Sequence, residues 1–245
     1  MKFNYRQLLS VLLIGTLLFA AQNAHSQQKP FKFGFKLAPG ISWLSPDSKG
    51  YENAGSNFTF AWGFTADITL MEHYYFATGF NVSYFGGQLS YPHSITDDES
   101  TLPTLFDGTI TRNYSQRYVE VPLAFKMKTN ELVNNTMFFG IIGINTGILI
   151  RAKADDSFLT ADGFSSHLNY TEEKLDIKEE SAPFKASLMV GAGAEYVIDD
   201  SISLVFGLNF NNGLTNVLSG TNTADNTIEH KAIPYYFELN LGVIF

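Results

Sequence analysis

The sequence predicts an all-β fold: a closed antiparallel eight-stranded transmembrane β-barrel with short periplasmic turns and long extracellular loops. Three observations lead there. Segments of strict two-residue alternation recur along the chain, so each carries two unlike faces. The face opposite the large apolar side chains is crowded with Gly, Ala, Ser and Thr. Short and long connections alternate between the segments, the pattern of barrels that cross an outer membrane.

Composition agrees with a membrane setting. The 245 residues are 45% hydrophobic and 15% aromatic, with 22 Phe and 12 Tyr, but only 16% charged; soluble domains average about 25% charged. There is no cysteine, which removes disulfides, thiolate metal sites, cysteine nucleophiles and a lipidated cysteine. Residues 1–26 read as a secretory signal peptide. Lys2 and Arg6 precede the apolar run "LLSVLLIGTLLFAA", and "AHS" ahead of Gln27 has the form of a cleavage site. Its removal leaves residues 27–245 as the barrel domain, with 14 basic residues against 24 acidic. So acidic a chain has no electrostatic case for nucleic acid. No later segment reaches 18 consecutive apolar residues, so any membrane crossing is made by strands.

The strands follow in order. In "FKFGFKLAPGIS", Phe31, Phe33, Phe35 and Leu37 oppose Lys32, Gly34 and Lys36. In "FTFAWGFTADITL", Phe58, Phe60, Trp62, Phe64 and Ile68 oppose Thr59, Gly63, Thr65 and Asp67. "YYFATGFNVSYF" sets Tyr74, Phe76, Phe80 and Val82 against Ala77, Gly79, Asn81 and Ser83. "RYVEVPLAFKMK" sets Val119, Val121, Leu123, Phe125 and Met127 against Glu120, Lys126 and Lys128. "MFFGIIGINTGILI" is apolar on both faces and its orientation stays open. "FKASLMVGAGAEYV", "SISLVFGLNF" and "YYFELNLGVIF" complete the eight, placing Lys185, Glu195 and Glu238 on small-residue faces.

The connections "MEH", "TNELVNN" and "DDS" are short. The others, at 43–57, 88–115, 151–183 and 211–233, are long and polar. Structureless loops beyond about 15 residues are uncommon in soluble domains, and surface loops of a barrel account for four of them. Tyr74, Tyr75, Tyr196, Tyr235 and Tyr236 fall at strand ends, where aromatic girdles sit.

A soluble ligand-binding barrel would turn the apolar face inward. Eight strands enclose too narrow an interior for rows of Phe, Trp and Leu, whereas Gly, Ala, Ser and Thr suit it. The charges of the small face also nearly balance, as buried charges must. The apolar face therefore meets lipid. Lys32, Lys36, Asp67, Glu120, Lys126, Lys185, Glu195 and Glu238 become candidates for interior ion pairs, with Lys36 expected near Asp67 and Glu238, and Lys36 or Lys32 the leading partners of Asp67. Glu120 and Lys185 are expected near the loop end, Lys126 and Glu195 near the turn end. An interior bridged in this way is plugged.

"YVEVPLAFKMK", with the form Tyr118-x-Glu120-x-Pro122-Leu123-x-x-Lys126, resembles the PorT-like outer-membrane β-barrel family. The likeness extends over the mature chain, from "FKFGFKLAPGISWL" to the Gly-rich closing strands. The resemblance implies outer-membrane location and an eight-stranded barrel. Its name comes from a member tied to protein secretion, which makes an accessory role there an expectation of the resemblance alone. Read from the residues, Pro122 lacks a ladder donor and marks a bulge or unpaired position.

Catalytic patterns are weak. His73, His93, His167 and His230 lie in turns or loops without partners at fixed spacing and read as solvated. "DDSFLTADG" lacks calcium-loop spacing, and "GAGAEY" reads as small interior residues rather than a phosphate cradle. The acidic stretch Thr171–Glu180 reads as a solvated loop, with a cation or basic partner as the functional alternative. The expectation is a non-enzymatic structural or interaction barrel of the cell envelope. It would have no cofactor or metal, with lipid around it and an envelope or secretion-system protein meeting its loops. A narrow channel, and a hydrolase or acyltransferase with a loop-built site, are the alternatives.

Overall fold

The computed structural model describes residues 30–97, 104–161, 169–199 and 201–245; the leader 1–26 and His167 lie outside them. Among the described residues nine strands follow in chain order: β1 (Phe31–Pro46), β2 (Glu52–Met71), β3 (Tyr74–Asp97), β4 (Thr104–Lys128), β5 (Thr136–Thr160), β6 (Tyr170–Asp176), β7 (Phe184–Val197), β8 (Ser203–Gly213) and β9 (Ala232–Ile244). Eight form a ring of antiparallel neighbours. β1 pairs with both β2 and β9, and the ring continues β9–β8–β7–β5–β4–β3–β2. β6 stands outside it, paired only to the far end of β5.

The pleat sorts the side chains as volume requires. Phe58 is 73% exposed and Phe64 59%, facing outward, whereas Thr59, Ala61 and Asp67 on the same strand are at most 1% exposed. The ambiguous segment in β5 resolves the same way. Phe138, Ile142, Ile144 and Ile148 face out, while Phe139, Asn145 and Leu149 are buried inside. Pro122 opposes Asn145 on β5. On its other side the β3–β4 ladder passes from Thr78–Leu123 to Asn81–Glu120, so the missing N–H falls where no pairing is made.

Three expectations change. The long connections are not structureless loops: β3, β4 and β5 run 24 to 25 residues and carry paired hairpins well beyond the apolar belt. Backbone pairing satisfies those polar groups, which solvent would otherwise have to do. The acidic stretch 171–180 is likewise folded, its first part in β6 and Ile177 buried. Of the five girdle tyrosines, Tyr75 and Tyr236 point inward and are buried. Consecutive tyrosines at a strand end occupy opposite faces, so each pair contributes one ring to either side. Tyr235 remains outside, stacked on Trp43 at 5.8 Å.

Above the belt, Leu44, Leu89, Ile110, Tyr114, Phe158 and Val217 form part of one apolar cluster. Segments 177–183 and 214–231 fold over the mouth and are pinned there. Ala182 donates its N–H to Val217, and Ser181 pairs with Leu218. The extracellular end is a packed cap.

Candidate functional site

The buried polar groups form two layers inside the barrel and a third in the cap. The layer at the turn end brings together Asp67 from β2, Lys126 and Lys128 from β4, and Glu195 from β7. Lys126 Nζ lies 2.7 Å from Asp67 Oδ2 and 3.9 Å from Glu195 Oε2. Lys128 Nζ lies 2.6 Å from Glu195 Oε2 and 3.3 Å from Asp67 Oδ2. Lys32 reaches Glu195 at 4.0 Å. The ammonium groups also sit over rings, Lys126 over Phe139 at 4.6 Å and Lys128 over Tyr75 at 4.4 Å.

Asp67 thus meets Lys126 and Lys128, not Lys36 or Lys32. Lys32 is its register partner on β1, yet its side chain runs to Glu195. In an eight-stranded interior, long side chains from non-adjacent strands meet at one height, so cross-barrel reach decides the partner. Lys36 makes no ion pair among the described residues. It lines a cavity of about 80 Å³ between the layers, with Asn209 and Asn240.

The second layer lies nearer the loops. Lys185 Nζ on β7 lies 2.5 Å from Glu120 Oε1 on β4. Asn145 donates to Glu120 Oε2 at 2.6 Å and to the Tyr236 hydroxyl at 3.2 Å. Phe85 and Tyr236 flank the Lys185 ammonium at 4.1 and 4.7 Å from the ring centres. Glu238 accepts a hydrogen bond from Asn211 at 3.3 Å and forms no ion pair with Lys36. The charged faces were legible in the alternation. Alternation also sets Tyr118 and Tyr236 opposite the apolar rows, and both are buried inside. The inward ring of Tyr75 was not legible, because tyrosine suits either face.

In the cap, Arg112 holds Asp156 by two parallel hydrogen bonds, at 2.7 and 2.6 Å, and reaches Glu180 at 2.6 Å. Nearby, His230 Nδ1 is 2.7 Å from the Tyr51 hydroxyl, and His93 Nδ1 is 2.7 Å from Thr223 Oγ1. These two histidines are therefore half-buried structural members, not solvated loop groups. Burial and the Arg112 charge hold both below the ordinary imidazole pKa, and burial pushes the Tyr51 hydroxyl up to about 12. Among the described residues no three His, Asp or Glu side chains gather in a metal-binding group.

A ring of eight strands with lipid-type side chains outside and paired charges inside is the architecture of an outer-membrane barrel. The family model for the outer membrane protein beta-barrel domain matches residues 20–219. The chain belongs to that family. It resides in the outer membrane. No curated protein matches it.

Among solved structures, Neisserial surface protein A is similar at 12% identity, covering 88% of this chain and 96% of that one, with a TM-score of 0.44. Ail, the attachment invasion locus protein of Yersinia pestis, is similar at 11% identity over 89% and 100%, with a TM-score of 0.33. The outer membrane protease OmpT of Escherichia coli is similar at 9% identity over 91% and 99%, with a TM-score of 0.37.

Proposed function

We propose that this protein is a non-conducting, non-enzymatic barrel of a Gram-negative cell envelope whose folded cap docks another envelope protein. The observation that carries this reading is the cap itself. Connections that merely link strands do not need a buried apolar cluster, a bidentate Arg112–Asp156 pair and strands extended beyond the belt. Such a scaffold holds a surface in fixed shape, which lowers the entropic cost of binding. The exposed Glu172, Glu173 and Glu179 give that surface an acidic margin, suited to a basic partner. The Tyr118–Lys126 motif supports the PorT-like branch, and a part in protein secretion rests on that resemblance alone.

Affinity capture from intact membranes tests the reading. One variant shortens 214–231 to a minimal turn; a second does the same to 132–135 at the opposite end. A partner retained by the native chain and the second variant but lost from the first supports docking at the cap. Identical co-purification with all three contradicts it.

A further inference from the structure

The outer wall carries a patch that neither the plugged interior nor the cap accounts for. On β4 the outward residues Phe125, Leu123, Val121 and Val119 give way to Arg117. On β5, Ile142, Ile144 and Ile148 give way to Arg151 and Lys153. Arg117 and Arg151 are register partners, as are Ser115 and Lys153, so the change from apolar to basic falls at one height on both strands. A bulge helps to make it. The β4–β5 register shifts between Arg117 and Tyr118 and leaves Ile150 unpaired, so Ile150 and Arg151 are both exposed. Lys174 joins them from β6 at the rim of a groove of about 350 Å³, whose wall includes Phe58 and Tyr84.

None of the four cations has an ion-pair partner among the described residues. Asp155 accepts a hydrogen bond from the Lys174 backbone and Asp176 opposes Lys153 in register, without either carboxylate forming an ion pair with the four cations among the described residues. The Arg117 guanidinium lies 4.4 Å over the Tyr84 ring, with its Nε buried and without a hydrogen-bond partner. Elsewhere on the wall, β1 and β9 present the stacked rings of Trp43, Tyr235 and Phe237, and Lys231, just before β9, is paired with Glu229. The four cations without ion-pair partners lie together on the β4–β5–β6 wall, at the depth where an apolar belt meets head groups.

We propose that this groove binds the phosphorylated head group of an outer-leaflet glycolipid. The two guanidinium forks supply parallel donors suited to phosphate oxygens, and the lysines add point charge. The apolar belt below, Ile144, Ile148 and Val121, receives the acyl chains. Anchoring to an outer-leaflet lipid also fixes the depth of the barrel, since an ordinary apolar belt alone allows sliding.

Native mass spectrometry of the delipidated full-length protein in neutral detergent tests this with bis-phosphorylated lipid A as probe. The expected result is retention of bis-phosphorylated lipid A at least about tenfold above its dephosphorylated form. Inorganic phosphate at millimolar concentration should not displace it. Arg117→Gln, Arg151→Gln, Lys153→Gln and Lys174→Gln together should abolish the preference, while Lys49→Gln with Lys231→Gln should leave it intact. Equal retention of the two lipids by the native chain, which requires no variant, overturns the proposal. Displacement by inorganic phosphate also overturns it, by marking a free-anion site, as does an undiminished preference in the folded quadruple variant.

Discussion

Glu120 and Lys185 meet at 2.5 Å across an intervening strand, through the space left by a glycine. Gly147 on β5 is the register partner of both, Glu120 on one side and Lys185 on the other. A Cβ at Gly147 would stand 3.3 Å from Glu120 Cγ and from Lys185 Cε. The absent side chain is what allows two residues on non-adjacent strands to pair.

Gly147→Leu should therefore force the pair apart and destabilise the barrel by about 1–3 kcal/mol, the usual cost of overpacking. Glu120→Gln leaves Lys185 buried without its counter-charge and should cost about 3–5 kcal/mol. Glu120→Gln combined with Lys185→Met should recover most of that loss. Urea unfolding of the protein in detergent, followed by tryptophan fluorescence, measures all three.

The turn-end layer makes a second prediction about salt. Asp67, Lys126, Lys128 and Glu195 are shielded from solvent, and buried pairs are screened far less than exposed ones. Raising ionic strength from about 0.1 to 1 M should leave the loss caused by Asp67→Asn unchanged. The exposed Lys231–Glu229 pair, at 2.7 Å, should contribute nothing measurable at either salt concentration. A salt-dependent Asp67→Asn effect would place that layer in contact with bulk water.

Depth along β2 gives a third. Phe64 lies in the middle of the outward apolar run Phe58–Leu70, and Phe58 lies at its loop-side end. Phe64→Arg should cost about 2–4 kcal/mol and Phe58→Arg about 1 kcal/mol or less, because the penalty falls toward the interface. Reversible folding into lipid vesicles reads the difference. Equal costs would put both positions at one depth.

The cap should loosen in acid. His93 and His230 have pKa values depressed by burial and by Arg112, while Asp156 and Glu180 also face the cluster and partly offset that charge. An opened cap binds protons more tightly than a closed one, so the closed form has its full stability above about pH 6.5 and loses it as pH falls below that value. Hydrogen exchange at the Asn222 and Val217 amides, both bonded within the cap, should accelerate as pH drops from 7 toward 5, beyond the intrinsic trend. His93→Gln with His230→Gln should flatten the response.

Much of this architecture was legible in "FTFAWGFTADITL" and its counterparts, because side-chain direction along a strand is a local property. Which groups were interior was legible for the same reason, and Asp67, at 1% exposed, lies on the inward face. What alternation does not encode is stagger: the tilt of the strands sets which residues share a height. That is why Asp67 meets Lys126 instead of Lys36, and why Lys128, on the same face as Lys126, completes the layer. The cap was illegible for another reason. Its hairpins mix polar and apolar residues, and Tyr51, Tyr91 and Phe158 become core only once segments distant in sequence fold together.

Planar-bilayer recording of the purified full-length protein tests the plugged interior most directly. Two layers of paired charges beneath a packed cap predict no steady single-channel current at moderate voltage. Large, steady, reproducible openings from the folded barrel would contradict that account.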